Sequence, residues 1–128
     1  MGLTLHVGAQ RLAVCRLDAG APVPDWFAAA GTPCAMVRTE HELSLVAPQD
    51  AVPDDVRAER NWAVLAVDGP LDFALTGILA TLAGVLARAE VPIFALSTFD
   101  TDLVLVPAVR RGDAIAALRR AGHEVRTP

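Results

Sequence analysis

The sequence predicts an α+β protein made of tandem ferredoxin-like units, each with the element order β-α-β-β-α-β, that share antiparallel sheets. Three observations predict this fold. Short apolar segments rich in β-branched residues alternate with segments of helical period in the second half of the chain. Two hairpins, at residues 40–46 and 100–106, repeat the pattern acid-x-acid-Leu-x-Leu-Val. Because similar elements surround both hairpins, we interpret the chain as an internal duplication in one compact folding unit, with residues 1–60 as a degenerate first repeat and 61–128 as the second.

The first half contains the less regular repeat. Its predicted elements are a strand at 11–17, a short helix at 24–30 and a hairpin of two strands at 34–39 and 43–47. Residues 50–57 allow one or two helical turns, limited by Pro53. Residues 3–7 remain as an extra strand, which we expect to fill the place of the closing strand of one repeat.

The second half gives the clearer pattern. A buried strand at 62–68 stops at Gly69 and Pro70, and Asp72 is the predicted cap of a helix that reaches residue 89. One face of this helix is apolar, with Leu75, Ile78, Leu79, Leu82 and Leu86 at helical spacing. The remaining predicted elements are a strand opened by Pro92, the second hairpin, a helix at 111–121 stopped by Gly122, and a final strand at 123–126.

Composition excludes several classes of partner. Of the 128 residues 53% are hydrophobic, the net charge is −4, and all eleven basic residues are arginines, too dispersed for a nucleic-acid interface. No apolar run reaches the length of a membrane span, and the first residues do not resemble a signal peptide, so we expect a cytoplasmic protein. Cys15 and Cys34 both lie in apolar segments, which predicts a reduced, buried pair.

No catalytic constellation is evident in the sequence. His6, His41 and His123 are widely separated, and no serine lies in a Gly-x-Ser-x-Gly pattern. The chain lacks a phosphate-binding loop and any His/Cys spacing typical of metal sites. We therefore predict a protein that is not an enzyme and that carries neither a cofactor nor a metal.

The turn of the second hairpin is the candidate binding element. It carries two carboxylates and two hydroxyls, from Thr98, Asp100, Thr101 and Asp102. Such residues are ordinary in a solvated turn, and Asp102 is equally suited to bind an ammonium group. A metal-binding Asp-x-Asp is disfavoured because no third ligand stands at suitable spacing.

Two glycines lie inside the predicted long helix, Gly77 and Gly84. A glycine there costs about 1 kcal/mol relative to alanine. Close packing of the helix against the sheet accounts for both, and for Gly77 an alternative is the approach of a ligand to the backbone.

The second half resembles the ACT-domain family. The resemblance is strong over residues 62–126 and rests on Thr76-Gly77-Ile78-Leu79 together with Ser97-Thr98-Phe99-x-x-Asp102. Residues 11–60 resemble the family only in topology. The chain looks like small bacterial tandem-ACT proteins similar to the cytosolic arginine sensors of the CASTOR type and to the regulatory region of aspartate kinases.

The resemblance implies a regulatory module that binds an amino acid between two ACT units, and it makes a homodimer the expected assembly. The positions that match the ligand-binding loop and helix start are Gly69, Pro70, Leu71, Asp72, Thr76, Gly77 and Ile78. The matching positions of the hairpin are Thr98, Phe99 and Asp102, with Asp102 as the partner of the ligand's ammonium group.

One position departs from the arginine sensors. They carry a glutamate just before the Thr/Ala-Gly-Ile step of the motif, where this chain has Leu75 before Thr76-Gly77-Ile78. A guanidinium ligand would lose an acidic partner there, so a smaller or less polar amino acid is equally compatible. The alternative function is a structural or protein-interaction domain that keeps the ACT architecture without a ligand.

Overall fold

A computed structural model describes residues 2–69 and 76–128. Two compact units make up the chain. The first unit is Gln10–Trp62, and the second unit contains the residues on either side of it, Met1–Ala9 and Ala63–Pro128. The sequence predicted a boundary at residue 60, with the N-terminal residues in the first repeat. In the structure the first nine residues group with the C-terminal half.

The described elements confirm the α+β fold. They are β1 (Thr4–Val7), β2 (Leu12–Leu17), α1 (Asp25–Ala28), β3 (Ala35–Arg38), β4 (Leu43–Pro48), β5 (Ala58–Val67), α2 (Ile78–Arg88), β6 (Phe94–Ser97), β7 (Asp102–Pro107), α3 (Arg111–Arg120) and β8 (Glu124–Arg126). Short 3₁₀ helices, Gln49–Ala51 and Ala108–Arg110, follow β4 and β7. No helix in the described ranges has the length and hydropathy to cross a membrane.

The first unit is a four-stranded antiparallel sheet in the order β3-β4-β2-β5, to which β5 contributes its first residues. Its core lies where apolar side chains of β2 and β4 meet, and consists of Ala13, Cys15, Leu43, Leu45, Ala47 and Val52. A bulge interrupts the pairing of β2 with β5 near Asn61, whose φ of 65° is left-handed. The Asn61 N–H donates to Gln49 Oε1 at 2.6 Å, and this bond holds the bulge.

The second unit follows the predicted order β-α-β-β-α-β from β5 to β8. Its sheet has the strand order β8-β1-β5-β7-β6, in which β1 is antiparallel to β5 and parallel to β8. We expected β1 to fill the place of a closing strand. It lies instead between the first and the last strand of the second repeat.

The core of the second unit lies between its helices and one face of its sheet. Alternate residues of each strand point to that face, as the two-residue period of a strand requires. The fully buried members are Leu5, Leu65, Leu82, Leu86, Val104, Val106, Ala114 and Leu118. Burying a leucine contributes about 1.5–3 kcal/mol, so this cluster is the main source of stability of the unit.

Several predicted boundaries were wrong. Helix α2 begins at Ile78, because Thr76 and Gly77 are not helical and Gly77 is the N-cap, whereas the predicted cap Asp72 lies outside the described residues. Strand β5 starts at Ala58, four residues before the predicted start. The predicted helical turns at 50–57 are reduced to the 3₁₀ helix Gln49–Ala51.

The internal repeat is visible in both hairpins, but in a different register from the predicted one. Thr39 and Thr98 hold the two turns in the same way, and Pro48 and Pro107 both end a strand and precede a 3₁₀ helix. This alignment pairs Asp102 with Leu43, whereas the sequence pattern paired it with Glu42. A slip of one residue moves every side chain of a strand to the other face, so the first hairpin has no carboxylate at the position of Asp102.

The predicted pair of buried cysteines was half wrong. Both thiols are free, but only Cys15 is buried, whereas Cys34 is exposed just before β3. Burial raises the pKa of the Cys15 thiol, an effect that the Arg60 guanidinium partly opposes.

We expect one thiol to react in the native protein. Cys34 should react rapidly with Ellman's reagent at pH 8, and Cys15 only when the first unit opens, because a buried neutral thiol is a poor nucleophile. The absorbance of the released thiolate measures both steps, and C34S is the control that should abolish the fast step. Equal rates for both thiols in the native protein would contradict the burial of Cys15.

Candidate functional site

The turn between β6 and β7 is held by a threonine at its first position. The N–H of Thr98 donates to the carbonyl of Thr101 at 2.7 Å, and its Oγ1 accepts the N–H of Thr101 at 3.0 Å. These two bonds fix the path of residues 98–101. Phe99, at the tip, is 82% exposed.

Asp102 is the first residue of β7 and lies opposite Ser97 in the hairpin. Ser97 Oγ donates to Asp102 Oδ1 at 2.7 Å, which fixes the orientation of the carboxylate. The side chain is half-buried, and Oδ2 has no hydrogen-bond partner among residues 2–69 and 76–128. Asp102 therefore presents an oriented negative charge with one oxygen available to a donor.

Thr101 connects the turn to the end of strand β5. Its Oγ1 donates to the carbonyl oxygen of Val67 at 2.6 Å. The next residue, Asp68, donates its N–H to Thr4 O at 2.8 Å, and its carboxylate lies 3.5 Å from His6 Nε2. The start of the loop that contains Gly69 is thus placed beside the hairpin turn.

We expect Thr101→Val to lower the free energy of unfolding by about 1 kcal/mol. The change keeps the shape of the side chain but removes the donor to Val67 O, and a typical net hydrogen bond contributes about 0.5–1.5 kcal/mol. Urea denaturation measures the loss. Thr127→Val, at an exposed position, is the matched control, and an equal effect of both changes would show that the bond to Val67 adds no stability.

The start of helix α2 offers backbone donors. Gly77 is exposed and has a φ of 81°, a left-handed conformation that residues with a Cβ rarely adopt. Its carbonyl accepts the N–H of Thr81 at 2.8 Å, which is the first bond of the helix. The N–H groups of the residues between them, beginning at Ile78, have no partner within the helix and carry its partial positive charge.

The chain connections bring this helix start to the same end of the second unit as the hairpin turn. Strand β5 ends beside the turn, through the Thr101–Val67 bond, and α2 is the next described element. After α2 the chain reverses at Glu90, whose φ is 60°, and β6 runs back to the turn. The end of β5, the start of α2 and the hairpin turn therefore share one end of the unit.

The structure locates seven of the ten predicted site residues. Gly69, Thr76, Gly77 and Ile78 lie on the loop and at the helix start, and Thr98, Phe99 and Asp102 lie on the hairpin. Pro70, Leu71 and Asp72 fall outside the described residues. The sequence prediction omitted Ser97 and Thr101 from the site, although both carry hydroxyls beside the predicted acids.

The equivalent region of the first unit is occupied by the chain itself. Arg38, which corresponds to Ser97 when the hairpins are aligned by their turns, donates to the carbonyls of Ala19 and Ala21 in the loop after β2. Arg16 Nη2 also donates to His41 O in the turn, at 3.1 Å. Two arginine side chains therefore connect the loop, the strand and the turn of the first unit.

No group of three or more potential metal ligands occurs in the described parts of the chain. The described site offers a carboxylate, hydroxyls and main-chain donors. These groups are suited to the recognition of a small polar molecule.

The sequence model of the ACT domain matches residues 57–120 of the chain. A second model, of an N-terminal domain, matches residues 10–55. The human and bovine proteins named cytosolic arginine sensor for mTORC1 subunit 1 are each 40% identical over 60 residues. The match covers 46% of this chain and 18% of either protein, so the chain spans about a fifth of these relatives.

Solved structures show the same fold over 92–100% of this chain. A protein of Agrobacterium tumefaciens is 30% identical, with a TM-score of 0.93 over 100% of this chain and 95% of that one. The aspartate kinase of Synechocystis has a TM-score of 0.70 at 18% identity, over 98% of this chain and 28% of the enzyme. The regulatory subunit of aspartate kinase from Thermus thermophilus has a TM-score of 0.62 at 14% identity, over 92% of this chain and 96% of the subunit.

Proposed function

Because the chain belongs to the ACT domain family, we propose that it is a non-catalytic regulatory module that binds an amino acid at its second unit. The carboxylate of Asp102 carries this proposal, because it lies at the same end of the unit as the unpaired N–H groups of α2. An amino acid carries an ammonium and a carboxylate one carbon apart, and such a ligand matches an acid opposite a helix start.

The roles of the site residues follow from their chemistry. Asp102 accepts hydrogen bonds from the ligand's ammonium group, and Ser97 keeps its carboxylate oriented. The backbone N–H groups that begin at Ile78 bind the ligand's carboxylate, with Gly77 allowing close approach. Backbone groups near Thr98 and Phe99 add hydrogen bonds. The family resemblance also assigns ligand contacts to Gly69, Pro70, Leu71, Asp72 and Thr76.

We place the completed pocket in a homodimer. Phe99, Thr76 and Gly77 are exposed in the single chain, and an ACT unit from a second copy would cover them. Dimerisation would thereby exclude water from the ion pair with Asp102, which strengthens it. We expect the protein to act in the cytoplasm.

The ligand's side chain is open to two candidates. The human relative is named as an arginine sensor, which supports a basic amino acid. This chain has Leu75 where the arginine sensors have a glutamate, which supports an amino acid with a less polar side chain. We expect one ligand per chain in either case, because Arg38 already binds the loop carbonyls of the first unit.

A thermal-shift screen with the twenty amino acids tests the proposal. A ligand at 100 times its Kd should stabilise the protein by about 2.7 kcal/mol, which raises Tm by several degrees. Calorimetry of the best ligand should then give one site per chain. The N-acetyl and methyl-ester derivatives are the controls, and each should bind weakly because it lacks one of the two charges.

Two results would contradict the proposal. One is the failure of every amino acid to raise Tm at millimolar concentration. The other is equal binding of the N-acetyl derivative, since a neutral amide does not need Asp102.

A protein-interaction domain without a ligand is the second candidate. Strand β3 supports it, because β4 is its one partner among the described strands and Met36 and Val37 are about half exposed at this sheet edge. Exposed edge strands are available for pairing with another chain. A dimer that forms at the same concentration with and without amino acids, measured by light scattering, would favour this candidate.

A further inference from the structure

A groove of about 260 Å³ lies between α2 and α3 of the second unit, near the C-terminal ends of both helices. Its lining is apolar except for one arginine from each helix, and consists of Val85, Arg88, Ala89, Ala117, Arg120 and Ala121. Val85 and Ala117 are 8% and 7% exposed and belong to the core cluster, so they form an apolar floor continuous with the core. This volume is below that of most drug-sized sites and fits a small organic molecule.

The two arginines differ from others in the same unit. Arg110 pairs with Asp113 at 2.9 Å, Arg126 pairs with Glu124 at 2.8 Å, and Arg119 donates to a backbone carbonyl. Arg88 and Arg120 form no ion pair and no hydrogen bond within residues 2–69 and 76–128. Both guanidinium groups are therefore available to an anion, in a protein whose net charge is −4.

Gly84 indicates where the Arg88 side chain lies. It lies inside α2, four residues before Arg88. A Cβ built at this position would lie 3.4 Å from Arg88 Nη1. The Arg88 side chain thus folds back over the glycine.

We propose that this groove binds a small aliphatic dicarboxylate, with one carboxylate on Arg88 and the other on Arg120. Arginine binds carboxylates through two parallel hydrogen bonds, and the apolar floor accommodates a short methylene chain between the two ends. The site is separate from the proposed amino-acid site, because Arg88 ends α2 whereas that site lies at the start of the helix.

The ordinary role of arginines in a last helical turn is to offset the partial negative charge of the helix end. That role affects stability alone and predicts no bound anion. A dicarboxylate site additionally predicts saturable binding that requires both arginines. The experiment must therefore measure binding and stability separately.

Titration of the full chain with glutarate, followed by NMR of the backbone amides and the arginine Nε–Hε groups, tests the proposal. We expect saturable shifts at Gly84, Ala89 and Ala121 and at both guanidinium groups. R88Q and R120Q should each weaken binding at least about 10-fold, because a charge-assisted bond is worth about 1.5–3 kcal/mol. Pentanoate, which has one carboxylate, should bind at least about 10-fold more weakly.

R57Q is the matched control, since it removes one exposed positive charge from the first unit and should leave glutarate binding unchanged. D102N should also leave it unchanged, which separates this site from the amino-acid site. The proposal is overturned by the absence of saturable shifts, by equal affinity for pentanoate, or by equal losses in R57Q. It is also overturned if R88Q and R120Q lower Tm but bind glutarate as tightly as the unchanged protein does. Binding of an acidic peptide to the groove, without binding of glutarate, would overturn it as well.

Discussion

Asp102→Asn is expected to weaken amino-acid binding about 10- to 100-fold while leaving the fold intact. The asparagine can still accept the hydrogen bond from Ser97, so the side chain keeps its place in the hairpin. It loses the negative charge that the ligand's ammonium group requires, and a hydrogen bond to a charged group is worth about 1.5–3 kcal/mol. Calorimetric titration with the best ligand of the screen measures the loss.

Asp100→Asn is the matched control for this prediction. Asp100 lies in the same turn, is exposed, and carries the same charge two residues from Asp102. We expect its replacement to change Kd less than about threefold, because an exposed charge is screened by solvent. If the two variants bind equally well, the negative charge of Asp102 has no direct part in recognition.

Leu118→Ala is expected to lower the free energy of unfolding by about 2–5 kcal/mol and Tm by about 10 °C. Leu118 lies on α3, is 0% exposed, and packs in the cluster that joins both helices to the sheet of the second unit. Its truncation removes apolar contacts and leaves a cavity. Urea denaturation and calorimetry measure the two quantities.

Val109→Ala is the control for the core variant. Val109 is 89% exposed in the 3₁₀ helix before α3, so its truncation should change stability by less than about 0.5 kcal/mol. A small effect of Leu118→Ala would mean that the cluster relaxes around the missing side chain. The position of the core between α3 and the sheet would then need revision.

Apolar periodicity alone predicted most of the second unit, but it failed where the pattern continued past the end of an element. Leu75 is in phase with Ile78 and Leu79 in the sequence, so the predicted helix extended past Gly77, the N-cap of α2. The left-handed φ of Gly77 ends that helix, and no periodicity detects a dihedral angle. The predicted start of strand β5 was too late for the opposite reason. Charged residues follow Ala58 and interrupt the apolar pattern, although the backbone of this segment pairs with β2.

The register of the repeat is given by the turns and the strand ends of the two hairpins. The pattern of acidic residues and leucines aligns the hairpins one residue out of this register. The threonines that begin both turns and the prolines that end both strands give the correct register, because they make equivalent backbone hydrogen bonds or stop the ladder.

The candidate site was predicted in part for similar reasons. The resemblance to the ACT family identified Asp102, Gly69 and Gly77 as candidate site residues. The bond from Thr101 to Val67 joins residues 34 positions apart, and only a folded chain shows such a contact.

The position of β1 has a practical consequence for protein engineering. This strand comes from the first residues of the chain, yet it lies between β5 and β8 and pairs with both. The carbonyl of Thr4 also accepts the N–H of Asp68, which precedes Gly69. A deletion or a bulky fusion at the amino terminus would therefore damage the unit encoded last, beside the proposed ligand site. Expression of residues 61–128 by themselves would leave the sheet without the strand that lies between β5 and β8. Because β1 is parallel to β8, a fusion of residues 2–9 after residue 128 would need a linker of about a dozen residues to carry the chain back along the sheet.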